Sequence, residues 1–100
     1  MHHCVSAIWN RASLPLGAAV EHVQRRGLAR LLLRWPDYRA DLRRGVEQDP
    51  YLRELVEAYE IACEAVEYWT RSEGTMAVER AAEYRALLIA TEQDILAKIV

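Results

Sequence analysis

The chain of 100 residues contains no phenylalanine, one lysine, two cysteines, three prolines and four glycines. Each scarcity closes a route. Cys4 and Cys63 are too few for a disulfide framework and do not form the paired spacing of a zinc site or a haem attachment, so reduced thiols and a cytoplasmic setting are expected. No apolar run approaches the roughly 20 residues of a membrane span, and the N-terminus lacks the charged start and apolar block of a signal peptide. Glycine-rich phosphate loops are absent, as are strand-length alternation, internal repeats and low-complexity tracts.

What is present favours a folded helical domain. Apolar residues make up 52% of the chain and charged residues 28%, with three Trp and five Tyr supplying the large core pieces. The net charge of −2 conceals two opposed halves. Residues 1–50 hold eight Arg against five acids, whereas residues 51–100 hold five bases against ten acids.

Boundary signals divide the chain into segments. Asp49-Pro50 combines an N-cap acid with proline at the first helical position, and Tyr51 to Arg71 contains neither Gly nor Pro, which predicts a long helix. Two adjacent heptad tracks, one through Leu55, Ala62 and Trp69 and the other through Leu52, Val56, Tyr59 and Cys63, cover more than half of it. Such a helix needs at least two neighbours. Ser72 to Gly74 closes it, with Gly74 expected in a left-handed C-terminal position and Thr75 as the next cap. Ala77, Ala81, Tyr84, Leu88, Thr91 and Ile95 then mark a second amphipathic helix, antiparallel to the first, over 76–99.

Upstream, Val20, Val23, Leu28, Leu31, Leu32 and Trp35 predict a helix over 17–34, with Gly27 as a point of bending or fraying. A short helix over 36–46 would turn Tyr38, Leu42 and Val46 inward. Residues 1–16 lack a period and contain Pro15, so they read as an irregular arm preceding a single helical domain over 17–100. The expected fold is therefore all-α: a long antiparallel helical hairpin with one or two additional N-terminal helices. Because a hairpin alone leaves one track of its first helix uncovered, homodimerisation is expected to complete a bundle.

Candidate functional residues lie on helix faces. Glu57, Glu60, Glu64 and Glu67 repeat at intervals of three and four, bracketed by Arg53 and Arg71, and share one narrow face. A charged face turned to water is the common arrangement. Yet three neighbouring Glu pairs repel by about 0.2–0.5 kcal/mol each, which favours cations laid against them. Arg26, Arg30 and Arg34 form a basic ridge of comparable length, so the two ridges could pair within one chain, between copies or with another protein. Ile61 and Tyr68, one heptad apart beside the ladder, form either a partner-contact edge or a contact with the chain's own N-terminal helix.

Other chemistry is poorly supported. Inward carboxylates can hold di-iron centres, but those also need Glu-x-x-His pairs, and the second half of the chain has no His. Met1-His2-His3 could wrap Cu(II) or Ni(II), but three residues make a weak signal. His22 beside Glu21 reads as a partly buried packing residue, without a nucleophile at motif spacing. Arg25, Arg39, Arg43 and Arg44 extend the basic ridge towards a nucleic-acid role. Pro36 would break the second helix of a helix-turn-helix, and a pI of about 5.9 opposes polyanion affinity. The expectation is a non-enzymatic helical interaction module, regulatory or accessory, without metal or cofactor. A nucleic-acid-binding regulator acting through the Arg-rich half is the alternative.

Overall fold

The computed structural model describes the backbone of residues 16–100 and the side chains of residues 21–100. Those residues are all-α. Helix α1 spans Leu16–Arg34, a 3-10 turn covers Pro36–Tyr38, α2 spans Arg39–Gln48, α3 Pro50–Arg71 and α4 Ala77–Ile99. The expected irregular arm lies, but for Leu16, outside the described residues, as do the N-terminal His pair and Cys4.

Proline sets two of the junctions. The ring of Pro36 drives Trp35 out of the helical region (φ −126, ψ 73), which ends α1 and starts the 3-10 turn. Pro50 does the same to Asp49 (φ −123, ψ 105), whose carboxylate then accepts from Tyr51 N at 3.0 Å to cap α3. Lys98 Nζ lies 3.1 Å from the other Asp49 oxygen, and this hydrogen bond, aided by the backbone amides of Tyr51 and Leu52, holds the Asp49 carboxyl below its usual range. Arg53 donates to Val46 O at 2.7 Å, covering a terminal carbonyl of α2. These contacts fix where α2 hands over to α3.

The turn between α3 and α4 departs from expectation. Gly74 has no left-handed φ, and no side chain caps α4, whose N-cap is Met76 rather than Thr75. The ends are satisfied differently: Ser72 Oγ donates to Tyr68 O at 2.8 Å, and Ala77 N donates to Gly74 O at 3.1 Å. An extended Ser72 redirects the chain, so a glycine with positive φ is not needed.

The core joins Leu31 of α1, Leu42 of α2, Leu52, Leu55, Val56, Tyr59 and Cys63 of α3, and Ile95 of α4. Leu28, Leu32, Trp35 and Leu88 pack against it. The two tracks of α3 are thus largely covered within one chain: α4 takes one side, while α1 and α2 take the other. The reason first given for a second copy, an uncovered track on α3, therefore does not hold.

At Gly27, α1 approaches α3 closely. A Cβ placed there would meet Val56 O at 2.5 Å, Val56 Cγ1 at 3.0 Å and Glu60 Cβ at 3.3 Å. The helix runs unbroken through this residue, so the chain does not fray there. Missing side-chain volume, rather than a weak backbone, is what the position supplies. His22 is exposed, not packed, because its side of α1 faces away from the core.

Candidate functional site

Close approach at Gly27 brings the next turns of α1 over the glutamate ladder of α3. Glu60 is the centre of the arrangement, its side chain only 1% exposed. Arg30 Nε donates to Glu60 Oε1 at 2.6 Å, and Arg26 Nε donates to Glu60 Oε2 at 3.0 Å, so each carboxylate oxygen receives one guanidinium. Both bonds are charge-assisted. Arg30 also reaches Glu67 Oε2 at 3.0 Å, and Arg26 Nε lies 3.6 Å from Glu64 Oε2. Glu57 receives a hydrogen bond of 2.5 Å from Gln24.

Arg34, the third member of the ridge, turns to a different partner. Its Nε and Nη2 meet Glu92 Oε2 and Oε1 at 2.8 and 3.2 Å, a fork on a carboxylate that belongs to α4. Tyr59 OH donates to Glu92 Oε2 at 3.1 Å. One carboxylate therefore ties α1, α3 and α4 together. Gln24 and Glu92 were not singled out from the sequence, because an isolated polar residue beside an apolar track looks like any surface position.

The proton equilibria follow from this geometry. Burial pushes the Glu60 carboxyl up, but hydrogen bonds from Glu64, Arg30 and Arg26 outweigh it and leave Glu60 below the ordinary glutamate range. Glu64 is raised, first by its hydrogen bond to Glu60 and then by burial and the Glu60 charge. The two carboxyls behave as a pair in which Glu64 takes the first proton. Arg30 is held firmly protonated, chiefly by its bond to Glu60. Burial raises Tyr59 and Cys63, so at neutral pH the phenol is a donor and the thiol stays protonated and unactivated.

A test follows at Glu64. Its folded pKa exceeds its unfolded one, so the favourable protonated form is fully present below the unfolded value and is lost as pH rises through the folded value. Glu64→Gln keeps a donor towards Glu60 and removes the like charge. Urea unfolding at pH 7 should show a gain of about 0.5 kcal/mol that vanishes near pH 4. A loss at pH 7 would contradict the pairing.

The structure thus joins Arg26 and Arg30 to Glu60, Glu64 and Glu67 within one chain, while Glu57 pairs with Gln24 and Arg34 with Glu92. It leaves Tyr68 58% exposed with its ring edge-on to Trp69 at 5.0 Å, and Ile61 half-buried. Among the described residues, no three His, Cys, Asp or Glu side chains converge as metal ligands, and no helix is long and apolar enough to cross a membrane. Three of the ladder's four carboxylates, Glu60, Glu64 and Glu67, lie against guanidinium groups of α1, an arrangement that joins the two helices. No family model, curated protein or solved structure matches the chain.

Proposed function

We propose that the chain is a small non-enzymatic helical interaction module, a regulatory or accessory protein of the cytoplasm that works as a homodimer. In this reading α3 and α4 form one long antiparallel hairpin, α1 and α2 close its inner side, and its outer side meets partners. The observation that carries it is the exposure of large apolar side chains in the second half: Tyr68 on α3 and, sharing one face of α4, Val78 at 81% and Ile89 at 52%. Exposed apolar side chains that share a helix face support a contact surface, which residues scattered singly do not.

The partner edge is narrower than the ladder. Glu60 is enclosed and holds the fold, so the accessible candidates are Ile61, Glu64, Glu67 and Tyr68. The Arg ridge supports the interaction reading over nucleic-acid binding, because Arg26, Arg30 and Arg34 already face carboxylates and would have to abandon them to take phosphate.

The test uses the native chain as bait in extract of its source cell, beside Ile61→Ser/Tyr68→Ser and an exposed control, Arg43→Ala. A partner retained by the native and control chains and lost from the double variant is expected. Retention of nucleic acid that weakens with salt, and with Arg43→Ala, would overturn the proposal in favour of the polyanion reading.

A further inference from the structure

A half-open cavity of about 200 Å³ lies beside the Gly27 contact, where α1 passes the end of α2 and the start of α3. Its inner wall is apolar. Val56 of α3 is fully buried there, and Leu28 of α1 and Val46 of α2 are half-buried and pack against the core. Its other lining residues are polar: Glu21, Gln24 and Arg25 from α1, and Arg53 from α3. An apolar wall with a few convergent polar groups is the usual make-up of a small-molecule site.

We propose that this cavity binds a small amphipathic monocarboxylate, its apolar body against Leu28, Val46 and Val56 and its carboxylate on Arg25 and Arg53. The site is independent of the partner surface on α3 and α4. Both guanidinium groups have donors available. Arg53 uses Nη1 on Val46 O at 2.7 Å and Glu47 O at 3.4 Å, which fixes the side chain, while its Nε and Nη2 meet no acceptor among the described residues. Arg25 makes no hydrogen bond or ion pair with any described side chain, whereas Arg26, Arg30 and Arg34 are each committed to a carboxylate.

Charge and volume narrow the ligand. The lining holds two cations, Arg25 and Arg53, and one anion, Glu21, so one negative charge balances it and a second would be repelled by Glu21. An amine would face both guanidinium groups, and a bare inorganic anion would leave the apolar wall wet. Because an apolar cavity of about 150 Å³ admits benzene, this one admits an apolar body of about six carbons with a head group beside the arginines. Such a ligand would touch α1, α2 and α3 together, so its binding favours the closed arrangement of the three helices.

A backbone-amide NMR titration of the full chain with hexanoate, hexanol and hexylamine, equal in length and different in charge, tests this. Hexanoate at millimolar concentration should give saturable shifts at Leu28, Val46 and Val56, and should bind about tenfold more tightly than hexanol, as one charge-assisted contact implies. Arg25→Gln, at an exposed position, should remove that preference and leave hexanol unchanged. Val46→Phe, which fills the cavity, should abolish binding of both probes; if that variant fails to fold, the Arg25→Gln comparison decides alone. Equal affinity for hexanoate and hexanol in the native chain would overturn the carboxylate assignment. Shifts confined to other residues, or none that saturate, would overturn the site.

Discussion

Replacing Arg26 and Arg30 together with methionine is expected to destabilise the fold by about 3–5 kcal/mol at neutral pH, because the Glu60 carboxylate would remain buried without a cation. The methylene stems of arginine and methionine are similar, so apolar packing changes little while both charge-assisted hydrogen bonds disappear. Glu60 would then keep only the hydrogen bond from Glu64 to set against its burial, and its folded pKa is expected to move from below to above the unfolded value of about 4.3. The sign of the pH dependence should consequently reverse. In the native chain the stabilisation from Glu60 is present above the unfolded pKa and fades as pH falls through the depressed folded value. In the double variant Glu60 favours folding only below the unfolded pKa, and this contribution is lost as pH rises through the raised value.

Adding Glu60→Leu to that background should recover most of the loss, since a well-packed apolar side chain can replace a buried ionic cluster at little net cost. Urea midpoints at pH 4 and pH 7 for the native chain, the double variant and the triple variant decide the matter. If the double variant is as stable as the native chain at pH 7, the guanidinium groups are ordinary surface charges.

Gly27→Ala separates helix propensity from packing because the two effects have opposite signs. In an exposed helix the change would stabilise by about 1 kcal/mol. Here the new methyl would sit 2.5 Å from Val56 O, a backbone atom that cannot rotate away, so α1 must lift from α3. Overpacking of this kind costs about 1–3 kcal/mol and here also stretches the Arg30–Glu60 bond formed one turn later. A net destabilisation of about 1–2 kcal/mol is expected from thermal or urea unfolding, rising further for Gly27→Val. A gain for Gly27→Ala would place the two helices farther apart than described.

Periodicity and punctuation made the helices legible. Asp49-Pro50 marked the start of α3 because a cap and a fixed φ are local properties, and the buried positions of α3 and α4, Glu60 apart, follow the apolar tracks. The role of Gly27 was hidden. In sequence a helical glycine signals only lost propensity, whereas its use here depends on the backbone of another helix more than 25 residues away. The turn after α3 was misread for a related reason: Ser72 changes the chain direction through an extended conformation, which many residues can adopt, so Gly74 carried a signal the fold did not use.

The charged site was partly visible. Matching spacing of the Arg ridge and the Glu ladder indicated that they could meet, but spacing cannot say whether they do so in one chain or between two. Burial decided it, since closure of α1 at Gly27 leaves Glu60 enclosed and within reach of two arginines. Arg34 diverges from the ladder to Glu92 because α4 lies beside α3 at that height, a fact of helix packing with no local trace in the sequence.

A site-resolved carboxyl titration by NMR, following the side-chain carbonyl carbons of Glu60 and Glu64, tests most directly whether the ladder is an internal clasp. Glu60 should titrate below the ordinary glutamate range and Glu64 above it, and Arg30→Met should move Glu60 upward. Two ordinary, independent titrations would contradict the clasp and return the ladder to the solvent.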